Sequence, residues 1–254
     1  MAGEQYVLLF LAGVLCGGIN AIAGGATLIG FPVLLSVGLA PQVANASNFL
    51  ATMPGYAAAI PAYFKELASF GRSSIVLVAL AVAAGGAGSL LLIYSPGDFF
   101  VKLTPYLLLS ATLIYGFGAH LNRLLRRLSK REDMRDSFVG RCCVVLFSVY
   151  GGYFGAGLGI IVLALLDALG VGDYHRANAL KNVMVTAVSL VSIGIFISAG
   201  LVHWPAALTM MCGATIGGYV SIRYARFMPQ RLLRLSIILL GLFFSLYYFI
   251  QQYV

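Results

Sequence analysis

Apolar residues fill this chain in long runs, and the polar positions collect between the runs rather than alternating within them. A helix needs about 20 apolar residues to cross the hydrocarbon core of a bilayer. Val43–Phe64, Ser73–Ile93, Leu103–Gly118, Ala177–Ala199, Pro205–Tyr224 and Leu232–Tyr253 reach or approach that length, the third being the shortest. Two other apolar stretches, Tyr6–Val37 and Val139–Ala168, do not fit a single span and are broken by glycines at their middles. Each predicts a pair of short helices meeting at a glycine-rich point, since dense glycine loosens a helix and admits another backbone or a ligand.

The placement of Lys and Arg sets the topology. The cluster Arg123, Arg126, Arg127, Lys130, Arg131, Arg135 and Arg141 and the cluster Arg223, Arg226, Arg231 and Arg234 are separated by one broken stretch and two full spans. If both clusters are cytoplasmic, the broken stretch must enter and leave on one side, so it is a hairpin. The same reasoning puts Lys65, Arg72 and Arg176 inside, leaving Lys102 outside and Lys181 within the membrane out of 16 basic residues. Parity does not decide whether each hairpin dips halfway or makes two short crossings.

Short matches relate the two halves. Ala44-Asn45-Ala46 returns as Ala177-Asn178-Ala179, and Gly85-Gly86-x-x-Ser89 as Gly217-Gly218-x-x-Ser221. Gly24-Gly25 corresponds to Gly157-x-Gly159. The expected fold is an all-α polytopic membrane protein of two inverted-topology repeats, each a glycine-broken helical hairpin plus three transmembrane helices. Residues 1–118 form the first repeat, 119–138 a cytoplasmic basic linker and 139–254 the second. Such repeats put substrate near the midplane at their interface.

Composition narrows the class further. Only 9% of residues are charged and 61% are hydrophobic, against roughly 25% charged in a soluble domain. The net charge of +8 does not indicate nucleic acid, because the basic residues cap apolar runs instead of lining one amphipathic face. Cys16, Cys142, Cys143 and Cys212 fit neither a zinc site nor a disulfide framework and read as small buried residues. The start carries Glu4 and no basic residue, so Met1–Gly25 is kept as part of the fold rather than as a signal peptide.

The segment GGINAIAGGATLIGFPVLLSVGLAPQVANASNFLAT and its partner GGYFGAGLGIIVLALLDALGVGDYHRANALKN resemble the TauE/SafE sulfite exporter family of membrane permeases, as do the later G-G-x-x-S elements. The resemblance covers nearly the whole chain. It implies a multi-pass transporter of the bacterial inner (plasma) membrane acting on small sulfur-containing or organic anions, with sulfite, sulfoacetate and related sulfonates as examples. It does not choose among them.

Lys181 is the sharpest candidate for contact with an anion, with Asn178 and Asn182 beside it. A lysine at the bilayer centre costs about 2.5–3.5 kcal/mol on insertion scales, which polar company or a bound anion offsets. With Asp173 as N-cap, Lys181 lies about 12 Å along the axis, near enough for its side chain to snorkel back to the cytoplasm instead. Asn45 and Asn48, with Ser47 and Thr52, are the counterparts in the first half; interhelical hydrogen bonding is their plainer role. Asn45 and Asn178, the matched pair, are expected to face the centre. Gly24, Gly25, Gly155, Gly157 and Gly159 lie at the hairpin turns, where a half-helix start points free N–H groups and a positive dipole end at a guest. Asn20 and Thr27 flank the first turn and add donors, whereas Gly85, Gly86, Gly217 and Gly218 read as close helix packing.

The expected function is secondary transport of small anions by alternating access, with a passive anion channel of the same architecture as the alternative. An intramembrane enzyme is not expected: His120, His175 and His203 fall in loops or at span ends, and no acidic cluster is present to hold metal. No cofactor is implied. The expected partners are a small anionic substrate and the lipid bilayer, with no nucleic acid; homo-oligomerisation is left open. Asp98, Asp167 and Asp173 lie near span ends, so no acidic proton relay is evident and the coupling ion is not read.

Overall fold

The computed structural model describes residues 3–22, 25–128, 137–171, 174–224 and 230–253. Gly24, Asp173, Lys130, Arg131, Arg135 and Arg226 lie outside the described residues. Within these segments the chain is helical, with no strand. The first half comprises α1 (Gly3–Ile22), α2 (Thr27–Ser36), α3 (Pro41–Ala57), the short α4 (Phe64–Ala68), α5 (Arg72–Tyr94) and α6 (Gly97–Leu128). The second comprises α7 (Phe138–Tyr153), α8 (Leu158–Ala168), α9 (Tyr174–Ser198), α10 (Trp204–Tyr224) and α11 (Gln230–Tyr253). Among the described residues five helices are long and apolar enough to cross a membrane: Gly3–Asn20, Arg72–Tyr94, Gly97–Phe117, His175–Ser198 and Leu235–Tyr253.

Both glycine-broken stretches are helix pairs, but their arms are unequal. α1 has 20 residues and α2 has 10, about 30 Å and 15 Å at 1.5 Å per residue. The turn falls at Gly25, as expected, but the expectation of two short helices is corrected for the first arm, because α1 begins at Gly3 and stays helical to Ile22. The chain does fold back on itself: Gln5 Nε2 at the start of α1 lies 3.5 Å from the Val37 carbonyl at the end of α2. α7 and α8 repeat the pattern with 16 and 11 residues. Left-handed backbone at Gly25 (φ 91°) and Gly157 (φ 75°) opens the short arms, a conformation L side chains avoid. Gly38 (φ 90°) and Gly170 (φ 74°) close them at the same interval along the chain. Leu39 N–H donates to the Leu34 carbonyl there and Val171 N–H to that of Leu166, the same capping pattern twice.

Two other boundaries differ from expectation. The apolar run Val43–Phe64 is not one helix, since α3 ends at Ala57 and a 3-10 turn over Ile60–Tyr63 leads into α4. Pro54 and Pro61 account for this, each removing a backbone donor from the helical ladder. α6 runs on past Gly118 to Leu128, so part of the expected linker is helical backbone.

The halves interlock. α1 packs along α10, and α7 along α5; α3 crosses α10 and α9 crosses α5; α6 pairs with α11 and α3 with α9. Exchanging the halves leaves this pattern of neighbours unchanged, which is consistent with two related repeats. Glycine lets the backbones touch. A Cβ at Gly13 or Gly17 would meet the carbonyls of Met210 or Ala214, and one at Gly213 or Gly217 those of Phe10 or Val14. On the other pair, Gly152 lies against the Gly85 carbonyl and Gly88 against that of Val149. Packing is thus the role of Gly85 and Gly217, as expected. Gly17→Val should lower stability by about 1–3 kcal/mol, the usual cost of overpacking, read as a fall in the melting temperature of the detergent-purified protein.

The faces turned from this core are apolar. Val7, Leu8, Leu11 and Leu15 on α1 and Leu239, Phe243, Leu246 and Ile250 on α11 are exposed, as acyl chains as solvent require. Lys65, Arg72 and Arg176 lie at one end of the bundle. There Arg176 Nη2 lies 3.5 Å from the Ser69 carbonyl and its guanidinium lies 5.7 Å from the Phe70 ring centroid. The Lys65–Arg72 turn and the start of α9 therefore share that end, as the charge distribution predicts.

Candidate functional site

The turn of the second hairpin is seated inside the first half. Asn45 Nδ2 on α3 donates to the Tyr153 carbonyl at 3.0 Å. Phe154 is fully buried edge-on to Phe31 of α2, with centroids 5.1 Å apart, and the Tyr153 ring packs on Phe100 of α6 at 5.6 Å. Tyr150 hydroxyl donates to the Ala156 carbonyl at 2.8 Å and braces the turn from within. Gly155, held at φ 76°, lies under the Phe49 ring, where a Cβ has no space. The first hairpin reaches α3 further along: Asn20 Nδ2 lies beside Gly55, and Gly25 lies beneath the Tyr115 ring.

Between the two turns lie two small voids, each of about 10 Å³, room for about one water. Thr27, Asn48, Phe49, Thr52, Gly155, Leu158, Val185 and Ser189 line one; Cys16, Asn20, Ala26, Thr52 and Gly55 are among those lining the other. Thr52 is common to both. Asn48 has no exposed surface, and neither its Nδ2 nor its Oδ1 has a hydrogen-bond partner. Asn20 Oδ1, Asn45 Oδ1 and Thr186 Oγ1 are also buried without partners. An unsatisfied buried polar atom costs about 1–3 kcal/mol, so each of these calls for a buried water or a guest as its partner.

The expected site residues thus divide. Asn20, Thr27, Asn48 and Gly155 converge on the voids, and Gly25 and Gly157 shape the turns that carry them. Asn45 and Asn178 are not brought together: Asn45 holds the Tyr153 carbonyl, and Asn178 Nδ2 donates to the Tyr63 hydroxyl at 2.7 Å. Lys181 is partly buried and lines neither void, while Asn182 is 3% exposed. Lys181 does lie on the stripe of α9 that carries Val185 and Ser189 at successive four-residue steps, so it stands one turn from the void towards the basic end. Gly24 is not among the described residues. Ser189, Thr186 and Tyr63 were not singled out by sequence; Ser189 was recoverable from its helical spacing to Lys181.

Other features take structural roles. Ser47 Oγ accepts from His203 N–H at 2.9 Å, and His203 Nδ1 accepts from Ala206 N–H at the start of α10. Ser89 Oγ bonds Ser192 Oγ at 2.7 Å and lies 3.1 Å from the Gly152 carbonyl, tying α5, α7 and α9. Cys16 is buried and donates to the Ala26 carbonyl at 3.3 Å, whereas Cys142 and Cys212 are exposed, which corrects the expectation that all four cysteines are buried. Among the described residues no group of three His, Cys, Asp or Glu is placed to hold a metal ion.

A larger groove of about 650 Å³ opens at the end opposite the basic one, between Leu35, Ser36 and Leu39, Val101 and Thr104, and Phe244, Tyr248 and Gln251. α2 joins the two spaces, with Thr27 at the closed void and Ser36 at the groove. The equivalent contact in the second half, α8 on α6, is more extensive than α2 on α11.

Helices that bury polar side chains against glycine turns, inside an apolar shell, define a polytopic membrane protein. The chain belongs to the sulfite exporter TauE/SafE family, whose model matches residues 9–248, and it is a membrane transporter and not an enzyme. It is 28% identical over 240 residues to a "Probable membrane transporter protein" of Haemophilus influenzae, covering 94% of this chain and 92% of that one. It is 26% identical to the "Probable membrane transporter protein ORF9" of a Sinorhizobium species, over 89% and 85% of the two chains. It is 24% identical to the "Probable membrane transporter protein YfcA" of Escherichia coli, over 92% and 86%. No solved structure matches the chain.

Proposed function

We propose that the chain is a secondary transporter of small anions, sulfur-containing or organic, in the bacterial inner membrane. It works by alternating access between inverted repeats at 1–118 and 139–254, joined by a cytoplasmic basic linker. The observation that carries this reading is Asn48, wholly buried and unpartnered in a water-sized void where hairpin turns from both halves meet α3 and α9. Half-helix starts on both sides point positive dipole ends towards that void, which suits a sulfonate or carboxylate. Asn20, Thr27, Asn48 and Gly155 form the binding site, Gly25 and Gly157 the turns that aim it. Lys181, with Asn178 and Asn182, lies on the route from the basic end.

Each void holds about one water-sized group, so an anion enters only when a turn or short arm shifts. The groove beside α2 supplies the approach from the outer side. Reconstituted protein should accumulate sulfite or sulfoacetate in proteoliposomes against its own gradient when a second ion gradient is imposed. Flux that only dissipates gradients identifies a channel instead, and absence of flux for every anion tried refutes the reading.

A further inference from the structure

The two voids beside Thr52 offer a guest different chemistry. The one at Thr27 and Gly155 sits at the starts of α2 and α8, where helix dipoles are positive. It also contains Asn48, whose Nδ2 and Oδ1 both lack partners. The one at Asn20 offers acceptors. Asn20 Oδ1 has no partner. Thr52 Oγ1 has committed its proton to the Asn48 carbonyl at 2.8 Å and keeps lone pairs to accept with. Cys16 has likewise turned its S–H to the Ala26 carbonyl at 3.3 Å.

A fully deprotonated oxyanion carries acceptors alone. It pairs with the donors of the first void, leaves Asn48 Oδ1 unpaired there and sets acceptor against acceptor in the second, so part of the site stays unpaired at the cost that burial imposes. A guest with an anionic group at one end and an O–H or N–H at the other satisfies both. We propose, resting on the anion-transport reading above, that the site selects small anions bearing a hydrogen-bond donor. The anionic head lies at Thr27, Asn48 and Gly155, and the donor lies on Asn20 Oδ1 and Thr52 Oγ1. No fixed cation lines either void, so the anion is recognised by neutral donors and dipoles, and a single charge is favoured over two.

Matched pairs test this: 2-hydroxyethanesulfonate against ethanesulfonate, and glycolate against acetate, measured by thermal shift and by competition for sulfite flux. The hydroxylated member should bind the wild-type protein about tenfold or more tightly, as sites built around a substrate hydroxyl do. Preference in one pair alone also supports the proposal and names the head group. Asn20→Ala and Thr52→Val should each bring the pair to within about twofold by weakening only the hydroxylated member. The wild-type comparison decides even if a variant fails to fold. Equal binding within both pairs overturns the donor requirement and leaves anion transport standing. If none of these anions, sulfite included, is bound or moved, the transport reading fails and this one with it.

Discussion

Asn48→Ala should weaken anion binding tenfold to a hundredfold, about 1.4–2.8 kcal/mol, while the ligand-free protein melts close to wild type. The two outcomes together are the diagnostic. A buried asparagine that serves the fold loses a hydrogen bond when truncated, and the protein becomes less stable. Asn45 is such a case, since its Nδ2 holds the Tyr153 carbonyl. Asn48 makes no hydrogen bond to lose, so removing its carboxamide relieves a desolvation cost as it opens a little space. Titration calorimetry or a ligand-induced thermal shift reads the binding arm, and the same melt without ligand reads the other. A large fall in melting temperature with binding unchanged would assign Asn48 to packing.

Lys181→Ala should cut anion flux into proteoliposomes by at least about tenfold, with expression and melting retained, and Lys181→Arg should keep most of it. The lysine does not touch the void; it stands one turn away on the stripe of α9 that does. A charge at that position raises the local concentration of anion at the mouth of the site. The effect should therefore fall on KM more than on maximal rate, and weaken as salt is raised. Flux that ignores the substitution would show that the side chain merely seeks the polar end of the bundle.

The hairpins were legible because their breaks need glycine: left-handed backbone at Gly25 and Gly157 has few other solutions. Their proportions were not, because α1 stays helical through Gly13, Gly17 and Gly18. Gly13 and Gly17 serve to let α10 approach. The short repeat motifs fall at the starts of α3 and α9, yet Asn45 and Asn178 do different things. Each faces the opposite half, and the residues met there, a Tyr153 carbonyl and a Tyr63 hydroxyl, are not equivalents. The part Thr52 plays was hard to read for another reason. A hydroxyl inside an apolar helix usually bonds back to its own preceding turn, as Thr52 does with Asn48, and sequence does not distinguish that habit from a wall of a cavity.

The backbone contacts of α1 with α10 and of α7 with α5 bear on how the protein responds to its surroundings. Two rods touching carbonyl to glycine slide or tilt only by breaking many close contacts at once, so these clasps behave as a stiff frame. What remains free to shift is the pair of short arms, shielded within that frame. A carrier of this build should turn over at nearly the same speed in thin and thick lipid mixtures, because the part that meets the acyl chains is not the part that travels.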